Sequence, residues 1–178
     1  MKVFLYIRGC KIEYIDQITN AAVNGESEEI KALLNKEPSL LNAFNSDGWT
    51  PLHLACYFGQ VDSVKLLLSL GADIHIKAKN SNENMPLHAA VANKQIQAVD
   101  LLLTKGADVN AKQSGGWTSL HEASLLGDEN MIKLLIEKGA DADIEIQKDD
   151  GKTPLEVAVE KKEESAVHLL TQYLNNKA

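Results

Sequence analysis

Three histidines recur along the chain with a spacing that raises the question of a metal site or a proton relay. His53, His88 and His121 lie 35 and 33 residues apart, and each is the fourth residue of a similar tetrapeptide, TPLH, MPLH or TSLH. Zinc is bound by imidazole nitrogens at about 2 Å. Histidines in successive copies of one structural unit would instead be roughly 8–10 Å apart, the usual distance between packed helices. The spacing therefore favours a structural role, and we expect no metal site.

The other residue types that carry catalytic chemistry do not form a recognisable site. The acidic pair Asp149-Asp150 lies in a polar stretch that is typical of a solvated loop. Cys10 and Cys56 show no CxxC or Cys/His spacing, and we expect Cys56 to be a small buried residue. Glycine-rich phosphate loops and the Gly-x-Ser-x-Gly and His-Glu-x-x-His motifs do not occur in the sequence. We therefore predict that the protein is not an enzyme and uses no cofactor.

The composition argues against several classes of partner. A net charge of −7 leaves no basic stripe to neutralise phosphates, so we expect no nucleic acid and no membrane surface as a partner. The apolar run at residues 3–7 is shorter than the roughly 7–15 residues of a secretory signal, and no run approaches the roughly 20 apolar residues of a membrane span. We expect a cytoplasmic protein, with the nucleus, or a host cell for a bacterial effector, as alternatives.

One unit of sequence occurs repeatedly along the chain, and it determines the secondary-structure elements that carry the three histidines. The heads of the unit begin at Thr50, Met85, Thr118 and Thr153. A Gly-Ala-Asp sequence follows 21 residues after each of the first three heads, at Gly71, Gly106 and Gly139. All variation in length falls between Gly-Ala-Asp and the next head. A fixed body with a variable connection, repeated about every 33 residues, is typical of a stacked repeat protein rather than of a single central core.

The body of the unit predicts two short antiparallel helices. Thr50 is a favourable N-cap, and Pro51 at the first helical position loses only an amide that has no helical partner. Gly59 can adopt the positive φ that ends the first helix, whereas Lys94 takes this place in the third unit, at a cost of roughly 1–2 kcal/mol. Small residues at one position let neighbouring helices approach closely: Ala21, Ala55, Ala90, Ala123 and Ala158.

These residues resemble the ankyrin-repeat family over nearly the whole chain. The resemblance implies an all-α solenoid of helix-turn-helix units joined by β-turn or hairpin loops, and it implies that the three histidines brace the turns through hydrogen bonds. We expect a single domain over residues 1–178, made of an N-terminal extension (1–14), an N-cap repeat (15–44), three central repeats (45–79, 80–112 and 113–147) and a C-cap repeat (148–178). The extension is predicted as either a strand or a first helical turn.

The resemblance also implies that a partner protein is held in a concave groove, lined by the turn tips and the exposed end of each first helix. Carried over individually, the groove positions are Trp49, Tyr57, Phe58, Asn84, Asn93, Trp117, Leu125, Leu126 and Lys152. Trp and Tyr at positions that face solvent indicate a binding hot spot. The alternative is that each tryptophan folds down over a neighbouring turn. Acidic and amide residues at the turn tips, such as Asp47 and Asn82, suit a partner with a basic rim and an apolar centre.

The predicted function is therefore that of a monomeric, non-catalytic protein-interaction module whose partner is unknown. The alternative is a regulatory or effector protein that inhibits or recruits a specific enzyme through the same groove. Asn110 stands in a setting, Asp108-Val109-Asn110-Ala111, that resembles the site modified by an asparaginyl hydroxylase in animal ankyrin repeats. It is the one candidate modification site.

Overall fold

The structure, a computed structural model, describes the backbone of residues 2–145 and 151–177 and the side chains from residue 12 onward within those ranges. The described residues form ten α-helices and two short 3-10 turns, Pro38–Leu40 and Ser114–Gly116. The helices are α1 (Lys2–Asn24), α2 (Ser27–Lys36), α3 (Pro51–Tyr57), α4 (Val61–Ser69), α5 (Pro86–Ala92), α6 (Ile96–Thr104), α7 (Ser119–Leu125), α8 (Glu129–Glu137), α9 (Pro154–Lys161) and α10 (Glu164–Lys177). The all-α prediction is confirmed.

The predicted signals start and stop the helices. Thr50 is extended, with φ −92° and ψ 165°, and its side chain accepts a hydrogen bond from the His53 amide at the start of α3. Gly59 has φ 68° at the connection between α3 and α4. Lys94 occupies the same place after α5 with φ 56°, so the left-handed conformation predicted for this lysine is present.

The helices pack in two rows, and the hydrophobic core lies between them. The first helices of the units, α1, α3, α5, α7 and α9, contact one another in order, as do the second helices α2, α4, α6, α8 and α10. The five recurring alanines, Ala21, Ala55, Ala90, Ala123 and Ala158, are all at most 1% exposed. Each repeat therefore buries its apolar face against its neighbours, which is how short helices that are marginal alone become stable.

The turns between repeats also contact one another through the backbone. The Lys79 amide donates to the Gly48 carbonyl at 2.8 Å, and the Ser114 amide donates to the Asn82 carbonyl at 2.9 Å. Gly48 has φ 80°, and a Cβ on this residue would overlap the backbone of Lys79. These bonds fix the spacing of the turn tips, so that side chains carried by successive tips keep a constant relation to one another.

The N-terminal region resolves one open alternative. Residues 2–14 are helical and continue without a break into the first helix of the first repeat, so the helical alternative holds and the strand does not. The Pro38–Leu40 turn, with Leu40 fully buried, stands where the second, third and fourth repeats carry Gly-Ala-Asp. The acidic tip at residues 149–150 and the boundary after residue 147 lie outside the described residues. None of the helices described is both long and apolar enough to cross a membrane.

Candidate protein-binding surface

One face of the solenoid is formed by the exposed side of the first helices and by the turn tips, and we call it the inner face. Because the heads align, equivalent positions on this face follow directly from the sequence. Leu54 and Tyr57 of α3 correspond to Ala89 and Ala92 of α5 and to Glu122 and Leu125 of α7, and the residues that directly follow these helices, Phe58, Asn93 and Leu126, correspond to one another. The inner face therefore changes in character from one repeat to the next, while the framework beneath it stays constant.

The second repeat carries a depression on the inner face that is lined by aromatic and apolar side chains. Its lining residues are Asp47, Trp49, Leu54, Tyr57 and Phe58, and its volume is about 310 Å³. Tyr57 and Phe58 are 37% and 44% exposed, and their rings pack edge to face with centroids 5.2 Å apart. The structure thus brings together the three aromatic residues predicted for this repeat. We call this feature the aromatic depression.

Both tryptophans are half-buried and pack against the histidine of their own repeat. The Trp49 and His53 ring centroids are 5.3 Å apart with the planes at 70°, and those of Trp117 and His121 are 5.5 Å apart at 59°. Each indole therefore packs against its own repeat, whereas the alternative interpretation placed it over a neighbouring turn. Trp49 also lines the aromatic depression.

The histidines have the bracing role that the resemblance implied. His53 Nδ1 accepts from the Thr50 amide at 3.3 Å, and its Nε2 donates to the Asn84 carbonyl of the next repeat at 2.9 Å. His88 and His121 donate in the same way to the carbonyls of Ala111, at 3.1 Å, and Lys152, at 3.2 Å. Each imidazole thus ties the start of one helix to the following turn.

Burial of these rings keeps them neutral. Desolvation lowers the pKa of His53 and of His88 to about 4, although hydrogen bonds to backbone carbonyls act in the opposite direction. The pKa of His121 is lowered for the same principal reason. Within the described part of the chain, no three His, Cys, Asp or Glu side chains are placed so that they could hold a metal ion.

The third repeat supplies small and amide side chains to the inner face. Ala89 is fully buried, and Ala92 is half-buried. Asn93 Nδ2 donates to the Tyr57 carbonyl at 2.8 Å and so supports the end of α3. The Asn84 carbonyl accepts from His53 and also from the Ala78 amide at 2.7 Å, while Asn84 Oδ1 is buried and has no hydrogen-bond partner among the described residues. Both predicted asparagines therefore belong partly to the framework.

The fourth and fifth repeats present a second apolar patch and an ion pair. Trp117, Leu125 and Leu126 are half-buried at positions equivalent to Trp49, Tyr57 and Phe58. Lys152 Nζ pairs with Glu160 Oε2 at 2.7 Å. The predicted residues of these repeats thus lie on the inner face, two or three repeats away from the aromatic depression.

Asn110, the candidate modification site, makes contacts between repeats. Its Oδ1 accepts from the Asp141 amide at 2.8 Å, and its Nδ2 donates to the Gly139 carbonyl at 3.4 Å. Asn42 makes the corresponding bond two junctions earlier, accepting from the Asp73 amide at 3.0 Å. The side chain therefore has a structural role. Modification of Asn110 stays a prediction.

Two residues of this surface were not among those predicted. Leu54 lines the aromatic depression, and Glu122 occupies the equivalent position two repeats later. The sequence reasoning followed the residues just before each helix-ending position and passed over the residue one turn earlier on the same helix face. Helical periodicity, which places residues three and four apart on one face, was the signal that could have identified them.

Comparisons with known proteins agree with this architecture. A family model described as ankyrin repeats in three copies matches residues 3–78, 21–113 and 87–178. Human DNA-binding protein RFXANK is 42% identical over 62 residues, which is 35% of this chain and 24% of that protein. Ankyrin repeat and SAM domain-containing protein 6 from Rattus norvegicus is 31% identical over 124 residues, which is 70% of this chain and 10% of that protein.

A third relative shows how widely the whole proteins differ. Human oxysterol-binding protein-related protein 1 is 39% identical over 71 residues, 34% of this chain and 7% of that protein. In each of these relatives the matched segment covers a quarter of the protein or less. The similarity therefore concerns the repeats, and the activities named for the whole relatives do not follow from it.

Proposed function

Because this chain belongs to the ankyrin-repeat family, we propose that it is a protein-interaction module that binds a partner protein on its inner face and catalyses no reaction. The aromatic depression carries this proposal. Leaving Tyr57 37% and Phe58 44% exposed next to Trp49 forfeits burial worth roughly 25 cal/mol for each Å² of apolar surface. The framework does not require aromatic residues there, since the equivalent positions of the third repeat are Ala92 and Asn93.

The chemistry of the recurring titratable groups supports a binding role rather than a catalytic one. His53 and His88 are held neutral and hydrogen-bonded inside the turns, so they are not oriented towards a substrate. The net charge of −7 disfavours phosphate backbones as ligands. Cys56 is a fully buried free thiol, which suits a reducing compartment such as the cytoplasm.

The proposal is tested by affinity capture from the source cell, with wild-type protein compared with the double variant Tyr57→Ala, Phe58→Ala. Leu70→Ala is the matched control, because Leu70 is 46% exposed but follows α4, a second helix, and lies outside the inner face. We expect a protein retained by the wild type and by Leu70→Ala to be lost from the double variant, as hot-spot truncations cost about 2 kcal/mol or more. If all three forms retain the same proteins in equal amounts, the inner face is not the binding surface.

A further inference from the structure

Glu122 is an unusual residue for the inner face, because it combines partial burial with the lack of an ion pair. It stands at the helix position that Leu54 occupies in the aromatic depression. Among the described residues, no Lys, Arg or His nitrogen is recorded within ion-pair distance of its carboxylate. Burial raises the pKa of the Glu122 carboxyl, and desolvation is the one cause of that shift. A partly desolvated carboxylate without a cation is destabilising in the free protein.

A lysine of the third repeat and one of the fifth repeat, on either side of Glu122 in the stack, make other contacts. Lys94 Nζ lies 3.5 Å from the Leu126 carbonyl oxygen, where it interacts with the C-terminal end of α7. Lys152 Nζ is paired with Glu160 at 2.7 Å. The carboxylate of Glu122 thus keeps its capacity to accept charge-assisted hydrogen bonds from a group outside the chain.

The repeat between Glu122 and the aromatic depression carries small side chains at its inner positions. Helix α5 lies between α3 and α7, and its side chains at the inner positions are Ala89, fully buried, and Ala92. The next side chain, Asn93, is held against the Tyr57 carbonyl. The side-chain sizes therefore give an apolar wall on α3, a low strip at Ala92 on α5 and a second wall on α7 that carries Glu122 with Leu125. We call this part of the inner face the trough.

We propose that the trough binds a peptide segment of a partner protein that carries an apolar side chain for the aromatic depression and a lysine or arginine for Glu122. This inference rests on the proposed function and adds the chemistry of the partner. With one helix between the two walls, their axes are separated by roughly 16–20 Å. An extended chain advances about 3.3 Å per residue, so the two anchoring side chains are about five or six residues apart. Asp47, which also lines the depression, extends the same charge preference.

The experiment is selection from a phage library of random 12-residue peptides on the immobilised full-length protein. Parallel selections use Glu122→Gln and the double variant Tyr57→Ala, Phe58→Ala. Glu137→Gln is the matched control, since Glu137 is an exposed glutamate on α8, a second helix. Thermal unfolding of each variant verifies that it is folded. Glu122→Gln preserves side-chain shape and removes a desolvated charge, so we expect its melting temperature to be equal to or above that of the wild type.

The wild type and Glu137→Gln are expected to enrich peptides with a Lys or Arg about five or six residues from an aromatic or aliphatic residue. Glu122→Gln should lose the enrichment of the basic position and keep the apolar one, and the double variant should do the reverse. A synthetic peptide from the wild-type pool should bind Glu122→Gln at least tenfold more weakly, as expected for a lost charge-assisted hydrogen bond.

The two proposals fail in different ways. A pool that depends on Tyr57 and Phe58 but is unchanged by Glu122→Gln, or that is enriched in acidic residues, overturns the basic-peptide inference and leaves the proposed function standing. A selection whose peptides depend on neither set of residues, or that enriches no peptide, contradicts both.

Discussion

The contact between Gly25 of the first repeat and Gln60 of the second tests how the stack is held together. Gly25 has φ 78°, and a Cβ built on it would lie 2.5 Å from Gln60 Oε1. Gln60 cannot move away without loss, because its Nε2 donates to the Val23 carbonyl at 2.7 Å. The substitution Gly25→Ala therefore adds backbone strain and also displaces a side chain that bridges two repeats.

A matched position separates these two effects. Gly71 has φ 90°, but a Cβ built on it meets no described atom within 4 Å. A left-handed alanine costs roughly 1–2 kcal/mol, offset by about 0.4–1 kcal/mol from the stiffer unfolded chain. We expect Gly71→Ala to destabilise by about 1 kcal/mol. Gly25→Ala also breaks the bond between Gln60 and Val23, which adds about 1 kcal/mol, for a total of about 2 kcal/mol.

Urea unfolding followed by far-ultraviolet circular dichroism measures these free energies, with tryptophan fluorescence as a second probe. For a chain of this size, 1 kcal/mol corresponds to about 2–4 °C in melting temperature. In a Gln60→Ala background, Gly25→Ala should cost only the strain, about 1 kcal/mol. The reasoning is refuted if Gly71→Ala is as destabilising as Gly25→Ala, or if removal of the Gln60 side chain leaves the cost of Gly25→Ala unchanged.

Three further predictions concern the framework. His53 and His88 have a pKa of about 4 when folded against about 6.5 unfolded. The unfolded chain therefore binds more protons below pH 6.5, and each histidine should lower the free energy of unfolding by about 2 kcal/mol at pH 5 relative to pH 8. In urea titrations, His88→Gln should make this difference between pH 5 and pH 8 smaller. Ser119→Pro should raise the free energy of unfolding by about 1 kcal/mol, because the Ser119 hydroxyl is buried without a partner among the described residues and a proline suits this first helical position; a lower melting temperature would contradict this. His75→Asn should raise the free energy of unfolding by about 0.5–1.5 kcal/mol. The new asparagine would accept a hydrogen bond from the Asp108 amide, as Asn110 accepts one from the Asp141 amide at the next junction, and an unchanged denaturation midpoint would count against this.

The repeat framework was predictable because each of its residues is required by a local rule. A capping threonine, a first-turn proline and a left-handed glycine act within a few residues of their own position. Pro51 and Gly59 could therefore be assigned from one copy of the unit and confirmed by their recurrence. The buried alanines followed in the same way, because close packing of successive first helices admits one size of side chain.

The candidate surface was predicted less completely, because its properties depend on how side chains from different repeats meet. The sequence identified Tyr57, Phe58 and Trp49, but not that Leu54 completes a depression with them. Nor did it show that Asn93 Nδ2 donates to the Tyr57 carbonyl of the preceding repeat. The bond between Asn93 and Tyr57 joins residues 36 positions apart, and a helix pattern within one repeat does not contain it.

The junction between the third and fourth repeats shows that departures from the pattern are compensated by the neighbouring repeat. At three junctions the turn residue is a glycine, Gly25, Gly59 or Gly127, and a Cβ there would overlap the side chain of Gln60, Gln95 or Glu163 from the following repeat. Lys94 carries a Cβ in that place, and the corresponding residue of the next repeat is the shorter Asp128. The Asp128 carboxylate accepts from the Met131 amide at 3.1 Å and caps its own helix.

Two further departures from the repeat pattern, in the turn before α5, also keep their local contacts. Glu83, also left-handed with φ 52°, is paired with Lys77 at 2.9 Å. Met85 lacks the threonine hydroxyl, yet its amide still donates to His88 Nδ1 at 3.2 Å. Each substitution keeps the bond that holds the turn and changes the group that faces outward. Stacking therefore constrains the backbone of this repeat, but it does not fix the small side chains between the aromatic depression and Glu122.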